Sequence, residues 1–326
     1  MQMRRRAFIA GLGLAMTGPS LLRAQQAVRR IGVLMAYAES ETEAQARVAT
    51  FRDGLARFGW IEGQNLVLDV RWSTADLGRI SRDAADLVAL KPNLILSSNT
   101  PTTVALLKET RSIPIVFATV ADPVESGFVA SMSHPGGHVT GFTNLEGSVA
   151  GKWLELIKEI APAVDRVAFL FNPATAPFSA TYLKPFAEAA APLKLNAVAA
   201  PVNDPAELQA IMAANAPGGI MVMPGPFFAN HSQEVIALAL RHRMPAIYPF
   251  RYYAEQGGLM AYGNDQADNY RRAADYADRI LKGTSPAELP VQAPVKFELT
   301  INLKTARAIG MDVPARLLQE ADAVLE

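Results

Sequence analysis

Glu39, Asp122 and Asp265 are the carboxylates best placed for proton or charge chemistry, each in a loop that follows an apolar run. None has an evident histidine partner. The four histidines, His134, His138, His231 and His242, are scattered, and His134 and His138 flank Pro135-Gly136-Gly137. That turn breaks a helix, so the pair cannot reach one-turn metal-ligand spacing. There is no cysteine nucleophile, no Gly-x-x-x-x-Gly-Lys-Ser/Thr phosphate loop and no Gly-x-Ser-x-Gly elbow. No cofactor and no metal are expected. Residues suited to binding are more plentiful. Asn99-Thr100-Pro101-Thr102 opens a helix whose free N–H groups favour a carboxylate, with the threonine hydroxyls as added donors; plain capping is the alternative. Arg251 could pair with a ligand carboxylate or form a surface ion pair. Asp122 and Asp265 could hold an ammonium or simply cap helices. Phe227, Phe228, Tyr248, Tyr252, Tyr253 and Tyr262 are aromatic walls or core, with at most three expected to line a site.

A strand phrase written twice must position these residues. The first copy is Ile31–Met35, Leu66–Trp72, Leu94–Ser98 and Ile113–Thr119. The second is Val167–Phe171, Asn196–Val202, Gly219–Met223 and Pro245–Phe250. Short apolar runs alternating with amphipathic helices predict parallel sheets covered on both faces. Two of them predict an α/β chain of two Rossmann-like lobes with a cleft between. Ligands in such sheets sit beyond the carboxyl ends of the strands. The candidate loops are therefore Tyr37–Glu39, Asn99–Thr102 and Asp122 in lobe one. Lobe two supplies Asn172, Gly225 with Phe227, and Arg251–Tyr252. Tyr262, Asn264 and Asp265 lie where the lobes join. The spacing predicts helices near Glu43–Phe58, Gly78–Leu90, Asp122–Met132, Val149–Ile160 and Gln266–Leu281, and strands His138–Phe142 and Phe297–Asn302. Lobe one is assigned residues 28–145 plus 264–285, and lobe two residues 146–263 plus 286–326. The chain then crosses three times through a multi-stranded hinge.

The 326 residues carry 31 basic and 31 acidic side chains, which gives no global attraction to nucleic acid or an anionic membrane. Residues 1–24 hold Arg4, Arg5, Arg6 and Arg23, an apolar run Ala7–Met16 and a small-residue exit at Ala24. This is the pattern of a signal peptide. Arg5-Arg6-Ala7-Phe8-Ile9 fits the twin-arginine form, with Arg4 in place of the usual Ser or Thr, and the general secretory route is the alternative. Removing its four arginines leaves 27 basic against 31 acidic residues, a net charge of −4. Without cysteine there is neither a disulfide nor a lipid-anchored cysteine. No further segment approaches ~20 uninterrupted apolar residues. An exported, periplasmic, monomeric protein is expected.

Ala121-Asp122-Pro123-Val124 with Pro135-Gly136-Gly137-His138-Val139-Thr140-Gly141 resembles a "DPV…PGGNVTG" signature, His138 replacing Asn. Asn302-Leu303-Lys304-Thr305-Ala306 with Ile309-Gly310 is similar to an "NLKTA…G" motif. Phe58-Gly59-Trp60 with Glu62-Gly63-Asn65, and Ser98-Asn99-Thr100-Pro101, add to the likeness. Together they resemble the ABC-transporter solute-binding proteins related to tryptophan- and tyrosine-binding ones, of type I periplasmic-binding fold. The resemblance covers the whole mature chain. It implies capture of a small-molecule solute between closing lobes and delivery to an ABC permease, without catalysis. A carboxylate-bearing solute, with an aromatic amino acid as candidate, is the expected ligand. The alternatives are a sensing domain for a membrane kinase and an exported α/β hydrolase or isomerase.

Overall fold

The computed structural model describes residues 28–326. The signal peptide expected over residues 1–24 lies outside the described residues. The first lobe runs β1 (Arg29–Met35), α1 (Thr42–Arg57), β2 (Leu66–Trp72), α2 (Leu77–Ala89), β3 (Leu94–Ser97), α3 (Thr100–Glu109), β4 (Ile115–Val120) and β5 (Val139–Thr143). Its sheet has the order β2-β1-β3-β4-β5 and is parallel throughout. Strand alternation explains why both faces are apolar. Ile31, Val33 and Met35 of β1 join Val48, Phe51 and Leu55 of α1 in one core. Leu34 points the other way, toward Ile80, Ala84 and Leu87 of α2.

The second lobe runs α4 (Val149–Ile160), β6 (Arg166–Phe171), α5 (Ser179–Ala190), β7 (Asn196–Pro201), α6 (Leu208–Asn215), β8 (Gly219–Val222), α7 (Pro226–Asn230), α8 (Ser232–Arg241), β9 (Ala246–Tyr248), α9 (Arg251–Glu255) and β10 (Met260–Asn264). After α10 (Gln266–Leu281) come β11 (Phe297–Asn302), α11 (Leu303–Ala308), α12 (Ala315–Glu320) and β12 (Ala323–Leu325). The sheet order is β7-β6-β8-β9-β10-β11-β12. Its first five strands repeat the first sheet's order, and β11 pairs antiparallel with β10. Phe169 anchors the core through edge contacts to Trp153, Tyr182 and Phe186 at 5.9, 6.5 and 5.2 Å.

Helix α10 returns the chain to lobe one. Asn269 Nδ2 donates to the carbonyls of Ala118 on β4 and Thr143 on β5, at 2.9 and 3.1 Å. Trp60 Nε1 donates to Asp278 Oδ1 at 2.9 Å. The chain thus passes between lobes after β5, after β10 and before β11.

Three expectations are corrected. Residues 286–292, assigned to lobe two, stay on lobe one. Gln292 exchanges backbone hydrogen bonds with Gly141 and Thr143, and Thr140 Oγ1 donates to the Leu289 carbonyl. Asp122–Met132 is not a helix but a series of turns, because Asp122 has φ 38° and Gly127 φ 70°. Gly225–Phe228 and Arg251–Tyr253 are not open loops. Gly225 caps the short helix α7 and Arg251–Tyr253 open the short helix α9, with three residues between β8 and α7 and two between β9 and α9.

Candidate functional site

The two sets of strand ends meet across a chamber. Lobe one contributes Tyr37 after β1, Asn99 to Pro101 after β3, Thr119 on β4 and Asn144 after β5. Lobe two contributes Thr175 and Phe178 after β6, Pro224 to Pro226 and Ala229 after β8, and Phe250 and Tyr252 after β9; Gln266 closes the hinge side. The chamber holds about 340 Å³ of space between atoms, so narrow that almost none of it admits a water molecule. The lobes are therefore nearly shut on one another.

The walls combine aromatic rings with polar atoms that lack partners. Asn99, Asn144 and Gln266 are each at least 94% buried, with 5%, 6% and 6% exposure. Asn99 Nδ2, Asn144 Oδ1 and Gln266 Oε1 have no hydrogen-bond partner among the described residues. Leaving such a group unpaired costs roughly 1–3 kcal/mol. By contrast, the entry of α3 satisfies itself. Asn99 Oδ1 accepts from Thr102 N–H and Thr102 Oγ1 accepts from Asn99 N–H. Thr103 Oγ1 donates to the Asn99 carbonyl, and Thr100 Oγ1 accepts from Ala121 N–H. Donors left at this terminus are fewer than its sequence implied.

A hinge compartment with about 860 Å³ between atoms, open to solvent, adjoins the chamber and shares Phe250, Tyr252 and Gln266 with it. Arg47, Arg251, Glu255, Asn264, Asp265 and Glu298 face it. Arg47 is 4% exposed, and its guanidinium lies 5.1 Å from the centroid of Tyr37 and 5.6 Å from that of Tyr252. Burial opposes its charge, but Tyr37, Tyr252, Tyr270 and Glu43 outweigh burial and hold it above the ordinary arginine value. Cation–π contacts worth about 0.5–2 kcal/mol tie this lobe-one arginine to a lobe-two ring. At the cleft mouth, Glu41 and Glu43 face Asn230, His231 and Glu234 across a space of about 750 Å³ between atoms. Burial pushes the Glu41 carboxyl up to about 7, with Arg47 acting against the rise and Glu43 with it.

Of the residues singled out from sequence, Tyr37, Asn99, Thr100, Gly225 and Tyr252 line the chamber, and Arg251, Asn264 and Asp265 the hinge compartment. Arg251 pairs with Glu255 at 2.7 Å, and Asp265 caps α10 through Ala267 N–H. The others lie elsewhere. Glu39 is exposed, and Thr102 is fully buried in its cap. Asp122 faces two separate cavities flanking the Asn144 and Phe178 loops. Asn172 holds Val202 and Thr175. Phe227 packs on Phe228 and His231, Tyr248 on Tyr253, and Tyr262 on Phe297. Sequence reasoning missed Arg47, Thr119, Asn144, Phe178, Phe250 and Gln266. Arg47 carried a signal: it falls on the apolar stripe of α1, three residues after Ala44 and four before Phe51.

The profile of the family described as ABC transporter substrate binding protein matches residues 33–325. The chain is 26% identical over 255 residues to a tyrosine-binding protein of Clostridioides difficile (strain R20291), covering 78% of this chain and 73% of the relative. It superposes on a crystal structure of an ABC domain in complex with L-Trp from Streptococcus pneumonia with a TM-score of 0.84, at 26% identity over 92% of this chain and 100% of that one. A conserved domain protein from Vibrio cholerae O1 biovar eltor matches with a TM-score of 0.85, at 28% identity over 91% of this chain and 99% of that one. The two similar lobes, the strand-end chamber between them and this match over nearly the full length place the chain in the family of ABC transporter substrate-binding proteins, with the type I periplasmic-binding fold.

Proposed function

We propose that the protein is the periplasmic solute-binding component of an ABC importer and that it captures a small carboxylate-bearing solute, with an aromatic amino acid as the first candidate. The carrying observation is the chamber itself: three buried carboxamides with unpartnered atoms, from Asn99, Asn144 and Gln266, among the rings of Tyr37, Phe178, Phe250 and Tyr252. Apolar walls with a few convergent polar groups are the mark of a small-molecule site. The relatives named for tyrosine and bound to L-Trp support an aromatic amino acid. Differential binding to the closed form drives closure, and the permease distinguishes closed from open.

An enzymatic reading finds little support. Asp122 and Asp265 each cap their own turn or helix, and no hydrogen bond joins either to Glu39. Among the described residues no helix is long and apolar enough to cross a membrane. Export through the residue 1–24 segment, a monomeric state and delivery to an inner-membrane permease complete the proposal. Isothermal titration against a panel of amino acids and aromatic acids tests it: saturable 1:1 binding of an aromatic amino acid is expected, and silence across the panel sinks the ligand class.

A further inference from the structure

Among the described residues Arg47 is a cation without an acceptor. A guanidinium carries five N–H donors and stays charged in proteins. Among the described residues none of its donors makes a hydrogen bond and no carboxylate lies within ion-pair distance. The rings of Tyr37 and Tyr252 attract its face, but hydrogen bonds leave in the plane of the group. Arg47 borders the hinge compartment. Asn264 borders the same compartment at 5% exposure, and neither its Nδ2 nor its Oδ1 has a partner. Gln266 Oε1, also unpartnered, lies on the wall shared with the chamber.

The acids around this compartment are mostly engaged. Glu255 pairs with Arg251 and Glu298 with Lys296, both at 2.7 Å, and Asp265 accepts from Ala267 N–H. Glu43, on the same helix as Arg47, stands beyond ion-pair distance of it. The unused groups are thus the buried guanidinium of Arg47 and the carboxamides of Asn264 and Gln266, in a compartment that shares Phe250, Tyr252 and Gln266 with the aromatic chamber. At the terminus of α3, the other candidate for an anion, the Thr102 and Thr103 hydroxyls donate to the Asn99 carbonyl, and Thr103 N–H is spent on the same carbonyl.

We propose that Arg47, assisted by Asn264, is the residue that reads the ligand's carboxylate. The solute then spans both spaces, its apolar body in the chamber and its anionic group in the hinge compartment. This rests on the reading of the cleft as a ligand site. A guanidinium offers a carboxylate two parallel N–H donors, which a neutral amide cannot exploit equally. The guanidinium that packs on Tyr252 through its face would hold the carboxylate through its edge, so carboxylate recognition and lobe closure use the same side chain.

The test is titration of L-tryptophan and L-tryptophanamide, and of L-tyrosine and L-tyrosinamide, into wild type, Arg47→Met and Arg47→Lys. Wild type should bind each acid at least about 30-fold more tightly than its amide. Arg47→Met should lose that preference by weakening the acid alone, and Arg47→Lys should recover part of it. Equal weakening of acid and amide, or no change in either, overturns the assignment. If wild type binds neither member of a pair, the aromatic-amino-acid reading falls, and crystals soaked in sodium acetate decide the role of Arg47. Acetate on Arg47 and Asn264 in wild type but not in Arg47→Met supports it. Acetate in neither, or equally in both as an adventitious additive only, overturns it.

Discussion

Asn230 on α7 of lobe two clips the backbone of lobe one at Ala38: its Oδ1 accepts from Ala38 N–H at 3.1 Å, and its Nδ2 donates to the Ala36 carbonyl at 3.4 Å. One carboxamide therefore holds both sides of the β1 exit, next to Tyr37. These bonds exist only while the lobes are together. The contact is a part of closure that can be removed without touching the chamber walls.

Asn230→Ala should shift the equilibrium toward the open form. Two neutral hydrogen bonds contribute roughly 1–2 kcal/mol net, which corresponds to a Kd about 5- to 30-fold weaker. The loss should appear in the dissociation rate, with the melting temperature of the free protein nearly unchanged. Stopped-flow release of bound solute measures it.

Glu41 sets the expected pH dependence. Its ordinary value is 4.5 and its value in this structure is about 7. Below pH 4.5 it is protonated whether or not it is buried. Between 4.5 and 7 burial takes up a proton, and above 7 burial must enclose a charge. The closed form is therefore favoured in acid and loses that advantage as pH rises through 7. Glu43, Arg47, His231 and Glu234 surround the group, and His231 Nδ1 lies 3.6 Å from Glu234. Solute affinity should fall about threefold or more from pH 5.5 to pH 8 in wild type, exposure limiting the effect. Glu41→Gln should flatten the curve, and titration calorimetry at several pH values reads both.

Gly263 sits where β10 passes the β9 exit, and a Cβ there would meet the Pro249 carbonyl oxygen at 1.8 Å. Gly263→Ala must push backbone from backbone, at a cost of about 1–3 kcal/mol. The residue also borders the hinge compartment. A melting temperature lower by a few degrees, seen by calorimetry, should accompany weaker solute binding.

Asn269→Ala removes the donor shared by the Ala118 and Thr143 carbonyls and leaves both buried acceptors short. A loss of about 1–3 kcal/mol is expected. The urea midpoint should fall, whereas Asn269→Asp, which supplies no donor, should not restore it.

Much of this architecture was legible in sequence. Helix α10 starts at Gln266 because Asp265 caps it, and it stops before Gly283, so composition and periodicity agreed. Trp153, Leu154, Leu156, Ile157 and Ile160 marked α4 in the same way. Helices of five residues have no period to detect, so α7 and α9 read as loops, although Pro226 stood at a first-turn position. The positive φ of Asp122 defeated the helix expected there. At the site, residue type named aromatics but not their facing: Tyr248 and Tyr252 are four residues apart, yet one is core and the other chamber wall. Arg47 was passed over because charge on a helix usually means solvent. Only the second lobe's Tyr252 shows that this one is enclosed.

The most direct test is a crystal structure of the protein purified from its native source without denaturation. Density for a small solute touching Asn99, Asn144 and Gln266 between Tyr37 and Tyr252 is the expected result. A solute bound outside the chamber and hinge compartment, with those three carboxamides paired only within the protein, contradicts the account.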